Sequence, residues 1–524
     1  MVKTLSGTRL WEEALHMAME RSATPGNSSL DWMDMASGTP TPFAASLLIG
    51  GKSIDAQGDR VFTRANPLTS HIVTVAAAAS LADAENAALA AAAAFPGWSA
   101  SPFAMRQTIL EQAAILLIEA TEVFTRTMMA ETGATRDWCR FNITYGAKIL
   151  QDAAAMAVHV PGSICPDDLI VGTSFSLRQP AGVCLAISPW NAPILLAVRS
   201  IALALACGNC VILKSSELAP ATQRLLGDLL QQAGLPDGVL NIISNAPADA
   251  AAIVETLIAH PVVRRVNFTG STRVGRIVSQ VAARYLKRCL LELGGKAPLI
   301  VLDDADLEQA ARAAAFGAFF NQGQICMSTE RIILIDAIAD DFLSLFVSKA
   351  KTVKAGDPAL GLTPLGSLIS MESGRRIAGM IDDAVARGAH VLTGGRVHDT
   401  LMDATVVDHV LPGMRLYREE SFGPVVSIIR VTDADEAVTA ANDCEYGLSG
   451  AVFSRDLHRA LDVARRVETG ILHINSATVA DDPSMPFGGV KASGYGRFGG
   501  VAALDEFTEL RWVSLASGPA DYPI

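Results

Sequence analysis

Charge and aromatic side chains are both scarce in this chain of 524 residues: 18% of positions are Asp, Glu, Lys or Arg, and 6% are Phe, Trp or Tyr. With 42 basic against 54 acidic residues the net charge is −12, and no basic run reverses the sign locally. Such a surface repels phosphate backbones and anionic headgroups, which excludes nucleic acid and membrane surfaces as partners. Long apolar runs are missing as well. Residues 181–187 are too few, and 201–213 are broken by Gly208-Asn209, so neither spans a bilayer, which takes roughly 20 apolar residues. The eight cysteines have no framework spacing, which argues against a disulfide-stapled secreted domain and for a reducing, cytoplasmic compartment. Cys207-Gly208-Asn209-Cys210 is formally C-x-x-C, yet it stands without a second pair and straddles a helix-to-strand turn, so packing accounts for it. No cluster has metal-ligand spacing, so no metal is expected.

What is present is length and alternation. A chain of this size needs two or three domains. Residues 1–45 read as an extension: Trp11, Leu15, Ala18 and Met19 share one face of a short helix, and Ser, Thr, Pro, Gly and Asn dominate to Pro42. Leu47-Leu48-Ile49-Gly50-Gly51 predicts a strand and hairpin turn. Helices are expected over 76–94, over 102–132 opening at a Ser101 cap, and over 137–158, with an edge strand at 175–178. Strands at 182–188, 210–214, 240–243, 265–268 and 290–293 then alternate with helices at 192–206, 219–233, 248–260 and 272–286. That rhythm predicts a parallel sheet with helices on both faces and a ligand at the carboxyl ends of its strands. A second series from 295 to 475 has the size of another α/β domain, and 511–515 is a short strand with no local partner.

Chemistry concentrates in 291–331. Glu292, in Leu291-Glu292-Leu293-Gly294-Gly295-Lys296, is flanked by leucines and followed by an expected Gly294-Gly295 turn, so poor solvation should raise its pKa and make it a candidate general base. Cys326, in Gly323-Gln324-Ile325-Cys326-Met327-Ser328-Thr329-Glu330-Arg331, is a candidate nucleophile. Taken singly, the bland readings are a salt-bridged Glu and a buried structural Cys. Together the two motifs resemble the aldehyde dehydrogenase superfamily, and further matches extend the similarity from about Leu48 to Val513.

The resemblance implies a Rossmann-type NAD-binding domain (46–164 and 181–293), an α/β catalytic domain (294–495) and a small β oligomerisation domain (165–180 and 496–524), hence a homodimer or homotetramer. It implies that Asn191 is the oxyanion donor, and that Ile187, Pro189 and Trp190 pack along the nicotinamide. Lys214 and Glu217 would hold the adenosine ribose, and Glu420 and Phe422 the nicotinamide ribose and ring, with Leu293 beside them. Glu217 would repel a 2′-phosphate, which favours NAD over NADP. Gly270, Ser271 and Gly275, opening a helix after a strand, match the coenzyme loop; by themselves they read equally as a capped helix.

For the substrate, the cysteine motif, the Met485–Gly500 segment and Glu506-Phe507-Thr508-Glu509-Leu510-Arg511-Trp512 resemble the aromatic branch, the salicylaldehyde, benzaldehyde and vanillin dehydrogenases. Ile325 and Met327 would wall the pocket, with Trp138, Asn142 and Tyr145 on another side; helix core plus a surface amide is the plain alternative for those three. The loop 475–482 departs from the salicylaldehyde pattern, with Ala480 in place of histidine. A semialdehyde or aliphatic aldehyde is the competing substrate, and an inactive protein of the same shape the competing class.

Overall fold

Two runs of alternating strands and helices become two parallel sheets that meet at Gly294-Gly295. A computed structural model describes residues 41–158, 160, 162–167, 172–516 and 518. The helix expected around Trp11 and Met19 lies outside the described residues. Among them, no helix is long and apolar enough to cross a membrane.

The first sheet has eight strands in the order Gly494–Tyr495, Arg288–Glu292, Val263–Thr269, Val183–Ile187, Cys210–Lys214, Leu240–Ile243, Leu47–Ile49, Lys52–Ile54. Its five central strands are parallel and run 5-4-1-2-3 by chain order, a doubly wound arrangement whose switch point lies between Val183–Ile187 and Val263–Thr269. Register aligns their carboxyl ends: Ile187 pairs with both Lys214 and Phe268, and Thr269 pairs with Glu292. Helix Pro193–Ala206 is buried along its whole length, which explains why its sequence is apolar all round but for Arg199 and Ser200.

The second sheet has seven strands in the order His390–Thr393, Thr405–Asp408, Val425–Val431, Thr329–Ile335, Ala297–Val301, Ser449–Phe453, Ile471–Ile474, parallel but for the first. Ser163–Asp167, Gly172–Pro180 and Thr508–Ala516 form a third, antiparallel sheet, so the terminal strand finds its partner far back along the chain. Ile164, Leu510, Trp512 and Leu515 stand exposed on these strands.

Several expected boundaries need correction. Helix 76–94 begins instead at Leu81, because Ser80 and Asp83 close a capping box there, while Ala76 and Ala77 end strand Ile72–Ala77, which pairs with Val61–Ala65 and Phe43–Ala45. The expected 102–132 helix is two, Phe103–Glu119 and Thr121–Thr132. Ser101 does not cap the first: its hydroxyl donates back to the Trp98 carbonyl at 2.6 Å, and Pro102 takes the cap position without a side-chain bond. Gly494–Tyr495, expected in the second domain, is an edge strand of the first sheet, and Ser163–Ile164 belong to the third.

Candidate active site

Helix Leu307–Phe319 ends in a turn that strains the chain just before Cys326. Asn321 and Gln322 have φ of 49° and 55°, left-handed values that non-glycine residues rarely hold, and Gly323 follows at 65°. Each such residue costs on the order of 1–3 kcal/mol and persists only where its surroundings over-determine it. Here they do. Gln322 donates to the Ser367 carbonyl at 3.1 Å and accepts from Gly366 N–H at 3.1 Å, and Gln324 accepts from Ile369 N–H at 3.0 Å. At Gly323 a Cβ would meet the Gly423 carbonyl oxygen at 2.1 Å, so only glycine fits.

Asn191 is tied to this turn. Its Nδ2 donates to the Gln324 carbonyl at 3.0 Å, while its own carbonyl accepts from Trp138 Nε1 at 2.8 Å and Asn321 Nδ2 at 3.3 Å. It does not cap the following helix, whose cap position is Ala192. Asn142 is no surface amide: it is fully buried, donating to the Trp138 carbonyl at 3.0 Å and accepting from Leu195 N–H at 3.4 Å. Both ends are thus occupied by backbone, which makes it a brace between two helices.

Ile325 and Met327 are buried beside Cys326 in the same apolar cluster as Trp138 and Tyr145. Phe141 stacks on Trp138 at 5.2 Å and faces Tyr145 at 5.4 Å, and Phe320 meets Trp138 edge-on at 5.0 Å. Sequence reasoning passed over Phe141, although it falls at the helical step between Trp138 and Tyr145, and Phe320, the residue on which the strained turn begins.

Glu292 ends the last parallel strand of the first sheet and is 2% exposed, with no hydrogen-bond partner on either oxygen. Burial pushes its carboxyl well above the ordinary range; Arg199 and then Arg497 oppose the push only in part, and Gly489 N–H faces it from outside hydrogen-bonding geometry. Arg199 is itself engaged, paired with Asp481 and lying 4.1 Å over the Phe487 ring. Burial, then the Glu292 and Glu420 charges, push the Cys326 thiol up to about 12. The thiol therefore holds its proton tightly, within electrostatic reach of a carboxyl group whose own affinity for a proton is raised.

The glycines expected to form a turn at 294–295 do something else. Neither has positive φ. A Cβ on Gly295 would sit 2.2 Å from the Cys326 carbonyl oxygen, and one on Gly294 would sit 2.7 Å from a Glu420 oxygen. They are bare so that the cysteine turn and the Glu420 loop can close on the strand carrying Glu292.

Along the switch-point crevice, Ile187 ends its strand, and Pro189 and Trp190 follow. Lys214 Nζ donates to Glu217, which also accepts from Asn245 Nδ2 at 3.0 Å, while Asn245 Oδ1 is buried without a partner. Ser271 caps helix Thr272–Arg284 by accepting from Val274 N–H at 3.4 Å, and Gly270 N–H donates to the Glu292 carbonyl at 2.9 Å. Gly275 lets Leu293 pack, since a Cβ there would lie 2.4 Å from that side chain. At the other end Trp190 and Phe422 meet edge-to-face at 5.7 Å, and Glu420 Oε1 accepts from Gly295 N–H at 2.9 Å.

A thiol and a buried carboxylate at the carboxyl edge of a doubly wound sheet define a class, the dehydrogenases that work through a cysteine nucleophile. The chain belongs to the aldehyde dehydrogenase family, which it matches over residues 54–513. It is 55% identical over 479 residues to a vanillin dehydrogenase of Pseudomonas fluorescens, covering 91% of this chain and 99% of that one. It is 46% identical over 478 residues to a salicylaldehyde dehydrogenase of Pseudomonas putida, covering 91% and 99%. The crystal structure of a salicylaldehyde dehydrogenase from Pseudomonas putida G7 complexed with salicylaldehyde superposes with a TM-score of 0.90 at 45% identity, covering 92% of this chain and 100% of that one.

Proposed function

We propose that the protein oxidises an aromatic or bulky apolar aldehyde to the carboxylic acid with NAD, through a thioester on Cys326. The observation that carries this reading is Glu292, an unpartnered buried carboxylate whose charge reaches the Cys326 thiol.

In this reading Glu292 takes the Cys326 proton, and the thiolate adds to the aldehyde carbon. The former carbonyl oxygen becomes an anion, met by Asn191 Nδ2 and the Cys326 backbone N–H. NAD, when bound, supplies the hydride acceptor. Loss of hydride leaves an acyl group on sulfur, and Glu292 releases its proton to solvent; it then takes a proton from water, whose oxygen attacks the acyl carbon, and passes that proton to the departing sulfur, giving acid and thiol.

The crevice suits the coenzyme. Glu217 and the partnerless Asn245 Oδ1 offer acceptors for ribose hydroxyls at one end, and the Trp190–Phe422 pair and Glu420 receive the nicotinamide end. A carboxylate at Glu217 opposes a 2′-phosphate, which favours NAD over NADP.

An aromatic substrate is supported by the similarity to vanillin and salicylaldehyde dehydrogenases and by the ring wall of Trp138, Phe141, Tyr145 and Phe320. The exposed apolar residues of the third sheet suit a homo-oligomer, and free thiols suit a cytoplasmic setting. NADH formation against vanillin, benzaldehyde, salicylaldehyde, hexanal and succinate semialdehyde tests the proposal. Aromatic aldehydes should give the highest kcat/KM; a preference for succinate semialdehyde or hexanal would overturn the substrate class, and no NADH with any would overturn the activity.

A further inference from the structure

The turn Glu420-Ser421-Phe422 is held from two sides by side chains outside the reacting centre. Phe422 has φ of 47°, a left-handed conformation an aromatic residue adopts only when forced. On one side stands Glu330, 3% exposed. Its Oε1 and Oε2 accept from Ser421 N–H at 3.0 and 2.8 Å, and its Oε1 also accepts from Phe422 N–H at 3.0 Å. Lys296, also buried, donates from Nζ to Glu330 Oε2 at 2.5 Å. On the other side the Arg376 guanidinium donates to the carbonyls of Glu420 at 3.0 Å and Ser421 at 2.6 Å. Two N–H groups and two carbonyls of one short turn are therefore all fixed by side chains.

We propose that Glu330, neutralised by Lys296 and opposed by Arg376, is a positioning residue that locks this turn in the conformation that receives the nicotinamide end of the coenzyme. The inference rests on reading Glu420 and Phe422 as coenzyme residues. Two adjacent N–H donors converging on one point call for a carboxylate, because charge-assisted hydrogen bonds are roughly twice as strong as neutral ones. A buried carboxylate in turn requires the ammonium of Lys296, since an unpaired charge there is strongly destabilising. A buried ion pair is weak as a source of stability and better suited to specifying one conformation, and here the conformation specified is the strained one. Released from Glu330, Phe422 relaxes to an ordinary φ, its ring leaves Trp190 and Glu420 leaves Gly295 N–H. The pair also colours the electrostatics: burial first and the Glu330 charge second push Glu420 up to about 7, against Gly295 N–H, Lys296 and Arg376.

The test compares binding of NAD with binding of ADP, which carries the adenosine half without the nicotinamide ribose, to the full-length protein by titration calorimetry. Two variants are used: Lys296→Met/Glu330→Gln, which leaves no unpaired buried charge, and Arg376→Met on the exposed side of the turn, which keeps the test decisive if the first does not fold. The clamp predicts that the NAD dissociation constant rises about tenfold or more in either variant while that for ADP stays within about twofold, with KM for NAD rising in parallel. NAD binding within about twofold of wild type in the folded variants overturns the proposal, as does equal weakening of NAD and ADP, which is what general structural damage gives. Wild-type protein that binds no NAD overturns the coenzyme reading itself, so the two failures are distinguishable.

Discussion

Replacing Trp138 by Phe isolates one hydrogen bond. The indole N–H donates to the Asn191 carbonyl at 2.8 Å, and that carbonyl's other partner, Asn321 Nδ2, sits at 3.3 Å and is shared with the Gln324 carbonyl at 3.4 Å. Phenylalanine keeps an aromatic face toward Phe141 and Phe320 but leaves the buried carbonyl with one long, divided bond. Weakening such a buried group costs about 1–2 kcal/mol, at the lower end of the penalty for an unsatisfied one. If that free energy is lost from the placement of Asn191 Nδ2 on the developing oxyanion, kcat falls by about 5- to 30-fold. An interaction realised only in the transition state lowers kcat and kcat/KM together, whereas loss of a mere wall raises KM for the aldehyde. The assay is steady-state NADH absorbance across aldehyde concentration. A raised KM with unchanged kcat would refute the reasoning and return Trp138 to the role of wall.

Other consequences follow from the same geometry. Glu131 is fully buried and accepts from Thr74 Oγ1, Ala221 N–H, Thr222 N–H and Thr222 Oγ1 at 2.8, 2.9, 2.9 and 2.6 Å, so it caps helix Pro220–Gln232 from another helix. Glu131→Ala should destabilise the protein by about 3–5 kcal/mol in urea unfolding, and a loss under about 1 kcal/mol would contradict that role. As the proposed base, Glu292 would work only when ionised, and its proton affinity is raised, so the acidic limb of kcat should lie above the ordinary carboxylate range, with activity rising as pH rises through it. A limb at or below that range in the pH–rate profile would reject Glu292 as the group responsible. Trp512 is 74% exposed on the third sheet; if that sheet carries the proposed homo-oligomer contact, Trp512→Arg should shift the protein toward smaller species in light scattering, and an unchanged mass would contradict that contact.

The two parallel sheets were legible because their strands are short apolar runs punctuated by helices at regular intervals. Where alanine dominated, the reading failed: Ala76 and Ala77 have no side chain to distinguish strand from helix, and pairing with Val61–Ala65 overrides alanine's helical preference. Cys326, Glu292 and Asn191 could be singled out because each sits in a recognisable local string. The residues that hold them could not. Arg199 meets Asp481 across 282 positions, and Glu330 meets Ser421 across 91, so neither pairing leaves a local mark. Gly294 and Gly295 were misread as a turn for a related reason: the need for a bare Cα comes from Glu420 and Cys326 arriving from elsewhere in the chain.

The division of labour between thiol and carboxylate is tested most directly by rapid mixing of the Glu292→Gln variant with aldehyde and NAD. If Glu292 is needed to hydrolyse the thioester, NADH should appear in a burst of a single equivalent per chain, slowed by loss of the base that takes the Cys326 proton, and then nearly stop, with the acyl group trapped on Cys326 and detectable by mass spectrometry. Steady turnover at the wild-type rate, with no acyl adduct, would contradict the account at its centre.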